Sequence, residues 1–381
     1  MKKLLFSLLI LSMLLTACGA PTVPTNVATP AASDIPADAT AAPADALPTD
    51  TPAPAVTTGE ARTLTVMSHD SFNASEGIIQ EFELANNVKV TFLKSGDAGA
   101  ALNKAILAKD APLADVFYGV DNSFLSRALE ADIFDSYTSP GLDSIPAEFQ
   151  LDLKNRALPV DYGDVCINYS KAFFSKNELA PPASLDDLTK PEYRDMLVVE
   201  NPATSSPGLA FLLATIAQYG DGYLDYWREL KANGVVVVDG WDTAYYTNFS
   251  GSSGNGPQPM VVSYASSPAA EVIFATTPLD TAPTGSIIAP GTCFRQIEFV
   301  GILKGTQNRD LAEKFVDFML SVTFQEDMPL NMFVYPVNSN ATLPEAFVQY
   351  AEVAQSPASV PADLDAMRET WINDWTQTVL H

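Results

Sequence analysis

The chain is poor in the residues that carry covalent and metal chemistry. Two histidines in 381 residues allow one imidazole relay at most and leave little material for zinc. Three cysteines cannot build a disulfide scaffold. Basic side chains number 21 against 46 acidic ones, a formal net charge of −25. The phosphate-neutralising charge is therefore missing, and no nucleic-acid partner is expected. No phosphate loop G-x-x-x-x-G-K-[ST], no H-E-x-x-H and no C-x-x-C occurs, and the run Gly251-Ser-Ser-Gly254-Asn-Gly256 does not fit G-x-G-x-x-G. No cofactor and no metal site is expected. What is present is a 47% apolar, 18% charged composition. That excludes a disordered or collagen-like chain for most of the length and leaves room for two compact domains or one large one.

The first residues read as an export signal. Met1-Lys2-Lys3 is a short basic start, and Leu4 to Leu15 is almost wholly apolar. This run is too short for a spanning helix and suits a secretory h-region. Leu15-Thr16-Ala17-Cys18-Gly19 resembles the lipobox of bacterial lipoproteins. The resemblance implies a signal peptide over 1–17, cleavage before Cys18 and lipid on its sulfur, with an ordinary signal peptide as the alternative. Attached acyl chains would hold the protein on a membrane without a spanning helix. Residues 18–61 are rich in Ala, Pro and Thr, and Gly19 to Ala61 contains no Lys or Arg. This stretch cannot bury enough apolar surface to order itself and reads as a disordered tether, spanning on the order of 35–40 Å.

Past Arg62, strands alternate with helices. Strands are predicted at Thr63–Met67, Val88–Leu93 and Ala114–Tyr118, and helices from a Ser75 cap to Ala85, over Ala100–Ala108 and over Asn122–Leu129. This alternation predicts an α/β fold with a mixed, mostly parallel sheet flanked by helices. In such sheets ligands sit beyond the carboxyl ends of strands, which points to the segments from His69, Ser95 and Gly119 onward. Arg309–Leu320 reads as an amphipathic helix and Glu369–Leu380 as a terminal one, with Trp371 and Trp375 as core packing. Cys166 and Cys293 lie in the exported part, in or beside predicted strands. They are read as a disulfide, with buried free thiols the alternative. Pairing would stabilise by roughly 4–5 kcal/mol in the chain-entropy picture.

Collinear motifs run from Leu64 to Trp375. They are Asp70-Ser-Phe72, Ala114-Asp115-Val116 with Gly119-x-Asp121-Asn122, Asp161-Tyr162-Gly163, Asn201-Pro-x-Thr-Ser-Ser-Pro-Gly208, Gly240-Trp241-x-x-Ala-Tyr245, Ser263-Tyr264-x-x-Ser267-Pro268-Ala269, Tyr335-Pro336-Val337 and Trp371-x-x-x-Trp375. Together they resemble the thiamine-binding proteins of bacterial ABC importers, of the two-lobed periplasmic-binding class. The resemblance implies a monomeric receptor without catalysis, exported or lipid-anchored outside the cell membrane. It would hand thiamine, a thiamine phosphate or a precursor to a permease driven by a separate ATPase. Lobe one would comprise 62–160 and 296–381, lobe two 161–295, with a hinge near Asp161 and Arg295.

The resemblance places Trp241, Tyr264 and Phe333 as aromatic walls for a flat cation, a contact worth ~0.5–2 kcal/mol per face. It gives Asp97 as the pairing carboxylate and Ser205, at a helix start, as the group meeting the hydroxyl or phosphate end. His69, Asp70 and Tyr245 complete the candidate set. Two departures bear on the ligand: Glu76 and Ala270 stand where family members can carry aromatics. Two other readings are weighed. One is a ferric-ion or polyamine receptor of the same fold using Tyr245-Tyr246; the other is a membrane-tethered hydrolase.

Overall fold

The structure, a computed structural model, describes residues 61–251 and 255–381. The expected signal peptide, Cys18 and the tether up to residue 60 lie outside the described residues. Among those described, the strands are β1 (Arg62–Ser68), β2 (Val88–Lys94), β3 (Val116–Asp121), β4 (Phe134–Asp135), β5 (Leu158–Ser170), β6 (Leu197–Glu200), β7 (Val236–Val238), β8 (Met260–Tyr264), β9 (Thr284–Ile287), β10 (Phe294–Leu303) and β11 (Tyr335–Pro336). The helices are α1 (Glu76–Asn86), α2 (Ala98–Leu107), α3 (Leu125–Glu130), α4 (Lys171–Lys176), α5 (Ser206–Tyr219), α6 (Tyr223–Ala232), α7 (Ser267–Ile273), α8 (Arg309–Leu320), α9 (Val322–Asn331), α10 (Glu345–Tyr350) and α11 (Leu364–Val379). None is long and apolar enough to cross a membrane.

The strand order is β2-β1-β3-β10-β5-β8-β6-β7. β1 pairs in parallel with β2 and β3, and β6 in parallel with β7 and β8. Parallel neighbours need crossover connections, and α1, α2, α5 and α6 supply them. β3, β5 and β6 are buried along nearly their whole length, as strands covered on both faces should be. Between the two parallel groups runs an antiparallel pair, β10 with β5. The chain thus crosses the middle of the sheet on two adjacent strands.

Two irregularities in this middle shape the site. Against β5, β10 steps from Glu298–Asp161 to Phe299–Pro159, leaving Val160 as an extra residue. Against β3 it steps from Phe299–Val120 to Val300–Tyr118, leaving Gly119 extra. Such bulges bend a strand and re-aim its side chains. Gly119 has φ +104°, and a Cβ there would lie 2.3 Å from the His69 ring. Only glycine satisfies both the backbone and the space.

Cys166 of β5 and Cys293, just before β10, form a disulfide. α8 spans the predicted residues and buries Leu311, Phe315, Val316 and Met319. α3 begins later than predicted because Asp121 takes the N–H groups of Ser123 and Phe124, both at 3.1 Å, and holds a turn there. α11 begins earlier, at Leu364. It lies on α6, with the rings of Trp375 and Trp227 edge to face at 5.4 Å and the Lys231 ammonium donating to the Thr378 carbonyl. The terminal helix, grouped by sequence with residues 62–160, therefore packs on α6 and also reaches Ser123 through Arg368. An apolar face carrying Trp375 needs an apolar partner, and α6 offers one.

Candidate functional site

Strand ends from both parallel groups converge on one cavity of about 420 Å³. His69 follows β1, and Asp97 follows β2 as the N-cap of α2. Ser206 and Pro207 open α5 after β6, Trp241 follows β7, and Tyr264 ends β8. α7 adds Ser267, Ala270 and Glu271, while Phe333 and Val334 reach in between α9 and β11. The volume suits a small organic ligand.

One wall is aromatic. The Trp241 ring stacks on Tyr245 at 4.8 Å and 18°, and Tyr246 stands edge-on at 5.4 Å. The indole N–H donates to the Ser263 hydroxyl at 2.9 Å, which fixes the ring. Tyr245 is buried and its hydroxyl donates to Glu271 at 2.6 Å. Across the cavity, the Tyr264 hydroxyl donates to Gln296 at 3.2 Å. Phe333 holds a left-handed backbone, φ +58°. The Ser266 hydroxyl, donating to its carbonyl at 2.5 Å, secures that conformation. Its ring meets Phe274 edge to face at 5.0 Å.

Beneath the cavity floor runs an acidic row, and of its three members Glu298 lines the cavity itself. Asp121, Glu298 and Asp161 stand directly opposite one another on β3, β10 and β5. Directly opposed like charges destabilise a sheet, and all three are buried. The conflict is eased by protons and donors. Burial, with repulsion from Glu298, raises the Asp161 carboxyl well above its ordinary range. Burial likewise pushes Asp121 up to about 6. Burial works against the charged form of Glu298, but His69 and hydrogen bonds from Asp161 and Tyr118 outweigh it and hold Glu298 below its ordinary value. The Tyr118 hydroxyl lies 2.6 Å from Asp161 and 3.2 Å from Glu298. His69 Nε2 lies 3.4 Å from Glu298 Oε1. Glu200 is also fully buried, and burial raises it well above its usual range.

Asp97 sits at the rim of this acidic region. Its two oxygens accept the N–H of Ala98 at 2.6 Å and that of Trp241 at 2.9 Å. Burial raises its carboxyl against these donors. The contact to Trp241 ties the end of β2 to the end of β7. The Ser71 hydroxyl makes a second such tie to Asp242 at 2.7 Å.

Of the sequence candidates, Trp241, Tyr264, Phe333, Asp97, His69 and Tyr245 all line the cavity. Ser205 is fully buried as the N-cap of α5, and the wall is formed one residue later by Ser206, buried with its hydroxyl near Asp121. Asp70 faces an adjoining recess of about 330 Å³ with Ser71, Asp239 and Asp242, and accepts the Gly96 N–H at 2.8 Å. Glu298, Glu271 and Phe274 escaped the sequence reading. Glu298 had a legible signal, a lone acid inside the apolar run Phe294–Leu303.

Residues 111–355 match a family described as bacterial extracellular solute-binding protein. Over 322 residues the chain is 30% identical to the thiamine-binding periplasmic protein of Escherichia coli (strain K12), covering 83% of this chain and 93% of that one. A solved structure of a periplasmic thiamin binding protein matches with a TM-score of 0.71 at 27% identity, covering 83% and 96% of the two chains. The ferric binding protein from Campylobacter jejuni matches with a TM-score of 0.65 at 20% identity, covering 83% and 99%, which speaks for a shared fold alone. The architecture is that of the two-lobed periplasmic binding proteins, and the chain belongs to the bacterial extracellular solute-binding family.

Proposed function

We propose that this protein is the extracytoplasmic receptor of an ABC importer and captures thiamine, or a close relative of it, without turning it over. One observation carries the reading. A stacked Trp241–Tyr245 pair and Tyr264 border a cavity lined by Asp97, Glu271 and Glu298, and no Lys or Arg is among its described lining residues. A flat cation gains from aromatic faces and from fixed negative charge in a low-dielectric site. Thiamine offers a thiazolium and an aminopyrimidine that match both. The Ser206 hydroxyl and the α5 N-terminus suit its hydroxyethyl end, the role assigned by sequence to Ser205. The thiamine-binding names of the relatives point the same way.

The proposed lobes are 62–160 with most of 296–381, and 161–295, hinged where β5 and β10 cross near Asp161 and Arg295. Arg295 there pairs with Asp164 and lies over the Tyr162 ring at 5.0 Å. α11 touches both halves, through Arg368 to Ser123 and through Trp375 to Trp227. A ligand touching both halves favours the closed state by its differential affinity. Export, a lipid on Cys18 and docking on a permease complete the proposal. An iron role fits less well. The Tyr245 hydroxyl is committed to Glu271, and burial raises Tyr245 and Tyr264 well above the ordinary phenol value, so phenolate ligands are disfavoured.

Calorimetric titration with thiamine, its phosphate esters and its pyrimidine half tests the reading. Saturable binding of thiamine is expected. A flat titration with all of them, at protein concentrations well above micromolar, would remove it.

A further inference from the structure

The floor of the cavity holds a feature that a cation receptor does not need for stacking: an imidazole already set against the buried carboxylate. His69 is 8% exposed and Glu298 4%, and both line the cavity. The groups set against His69 are acids and a phenol. Glu298 on β10 is nearest, at 3.4 Å. Tyr118 on β3 lies with its ring 5.6 Å away. Asp97 at the start of α2 and Asp242 after β7 act on it at longer range. Asp121 and Asp161 flank Glu298 in register. Gly119 leaves the ring its place, since a side chain there would collide with it.

We propose that the cavity takes up its organic cation in exchange for the proton on His69. This rests on the thiamine reading and deepens it. In the empty cavity, the imidazolium serves as the counter-charge of Glu298. Two positive charges beside one buried carboxylate repel strongly where water does not screen them. When the thiazolium enters, the N–H bond of the imidazolium breaks, its electron pair stays on the ring nitrogen and the proton leaves to solvent. One positive charge enters and one departs, so the net charge of the site is unchanged. Burial lowers the His69 pKa, but Glu298 more than compensates and leaves it above 6.5 in the protein without ligand. The exchange is therefore largest near and below that pH, and affinity rises as pH rises. With one linked proton, the Kd weakens up to about tenfold per pH unit below the titration range. A ligand without positive charge would show no such dependence.

The chain has two histidines, His69 and His381, so NMR of the imidazole C–H signals reads the group directly, with His69→Gln assigning it. Free His69 is expected to titrate above 6.5, and saturating thiamine to move it down by at least one pH unit. Calorimetry at pH 6.5 in two buffers of different ionisation heat should show release of ~0.5–1 proton per thiamine bound. At saturating thiamine, proton release at pH 6.5 should be abolished in His69→Gln, whatever its affinity. Thiamine binding at pH 8 with an unmoved His69 titration overturns the exchange alone, as does undiminished proton release from His69→Gln. Failure of thiamine to bind at pH 8 overturns the underlying reading, and the exchange with it.

Discussion

Two aromatic pairs in this chain share a spacing of four residues and have opposite fates. Trp371 and Trp375 lie on α11, and Trp375 is fully buried against Trp227. Trp241 and Tyr245 stack beside the cavity, with Trp241 half-buried. Spacing alone does not separate them. What separates them is what surrounds each ring. Trp241 follows the end of β7, beside Asp97 and Ser263, and both bind its N–H groups. Trp375 sits mid-helix, and its own indole N–H is buried without a partner. A ring whose polar edge is satisfied at a strand end belongs to a site. A ring that gives up its hydrogen bond for apolar contact belongs to a core.

Replacing each ring with alanine sharpens the contrast. Trp375→Ala opens a cavity under α11 and α6 and is expected to cost about 3–5 kcal/mol of stability, read by urea or thermal unfolding. Thiamine affinity of the folded protein should stay within about twofold of wild type, because neither Trp375 nor the Trp227 ring it packs on lines the cavity. A large loss of affinity at intact stability would erase the distinction.

The acidic floor gives the second test, one of pH. The Asp121 carboxyl has its folded pKa raised to about 6 from an unfolded value near 3.9. A raised carboxyl favours the fold while protonated. Its contribution is present below about pH 4 and lost as pH rises through about 6. The loss amounts to at most about 3 kcal/mol. Asp121→Asn should flatten that part of the stability–pH curve and leave the ligand-free protein more stable at pH 7. The indole core around Trp375 has no such dependence, so a curve unchanged by Asp121→Asn would mean that the floor is as indifferent to pH as the core.

Trp241→Ala is expected to do the reverse of Trp375→Ala. Losing the ring face should weaken thiamine binding by about 5- to 300-fold, from ~0.5–2 kcal/mol of cation–π attraction and ~0.5–1.5 kcal/mol of stacking. The melting temperature should move less than for Trp375→Ala, since Trp241 is only partly buried. Undiminished binding would count against the aromatic wall.

The same contrast explains how much could be read from the sequence. α8 was legible to the residue because its apolar face is complete and its partner face is one layer. The start of α11 was not, because Arg368 interrupts the apolar stripe. In the fold that arginine is buried and donates to the Ser123 carbonyl at 2.8 Å, a contact 245 residues away in sequence. The walls of the cavity were legible because Trp241 and Tyr264 stand at strand ends within recognisable motifs and Phe333 just before another. The floor was not. Asp121, Asp161 and Glu298 are ordinary acids singly, and only the sheet order places them in a row. Ser205 and Ser206 differ by one residue, which is about 100° on a helix, and sequence spacing cannot choose between adjacent positions at a helix start. Tyr245 and Tyr246 are adjacent in sequence but take different places. They lie in a π-helical turn, Thr243–Asn248, with rings at 84°, so one backs Trp241 while the other stands at its edge.

The smallest effect separates ring from hydroxyl within the site itself. Tyr245→Phe keeps the surface that backs Trp241 and removes only the bond to Glu271. A hydrogen bond to a charged partner contributes about 1.5–3 kcal/mol when buried, but Glu271 lines the cavity and can recover part of that from water. A loss of about 1 kcal/mol in stability and at most about fivefold in thiamine affinity is expected. If the pair works by stacking, Tyr245→Phe should bind far better than Trp241→Ala when both are titrated side by side. Equal losses would mean that the Glu271 contact, rather than the ring, is what Tyr245 brings to the wall, and that the two aromatic pairs differ in their polar partners alone.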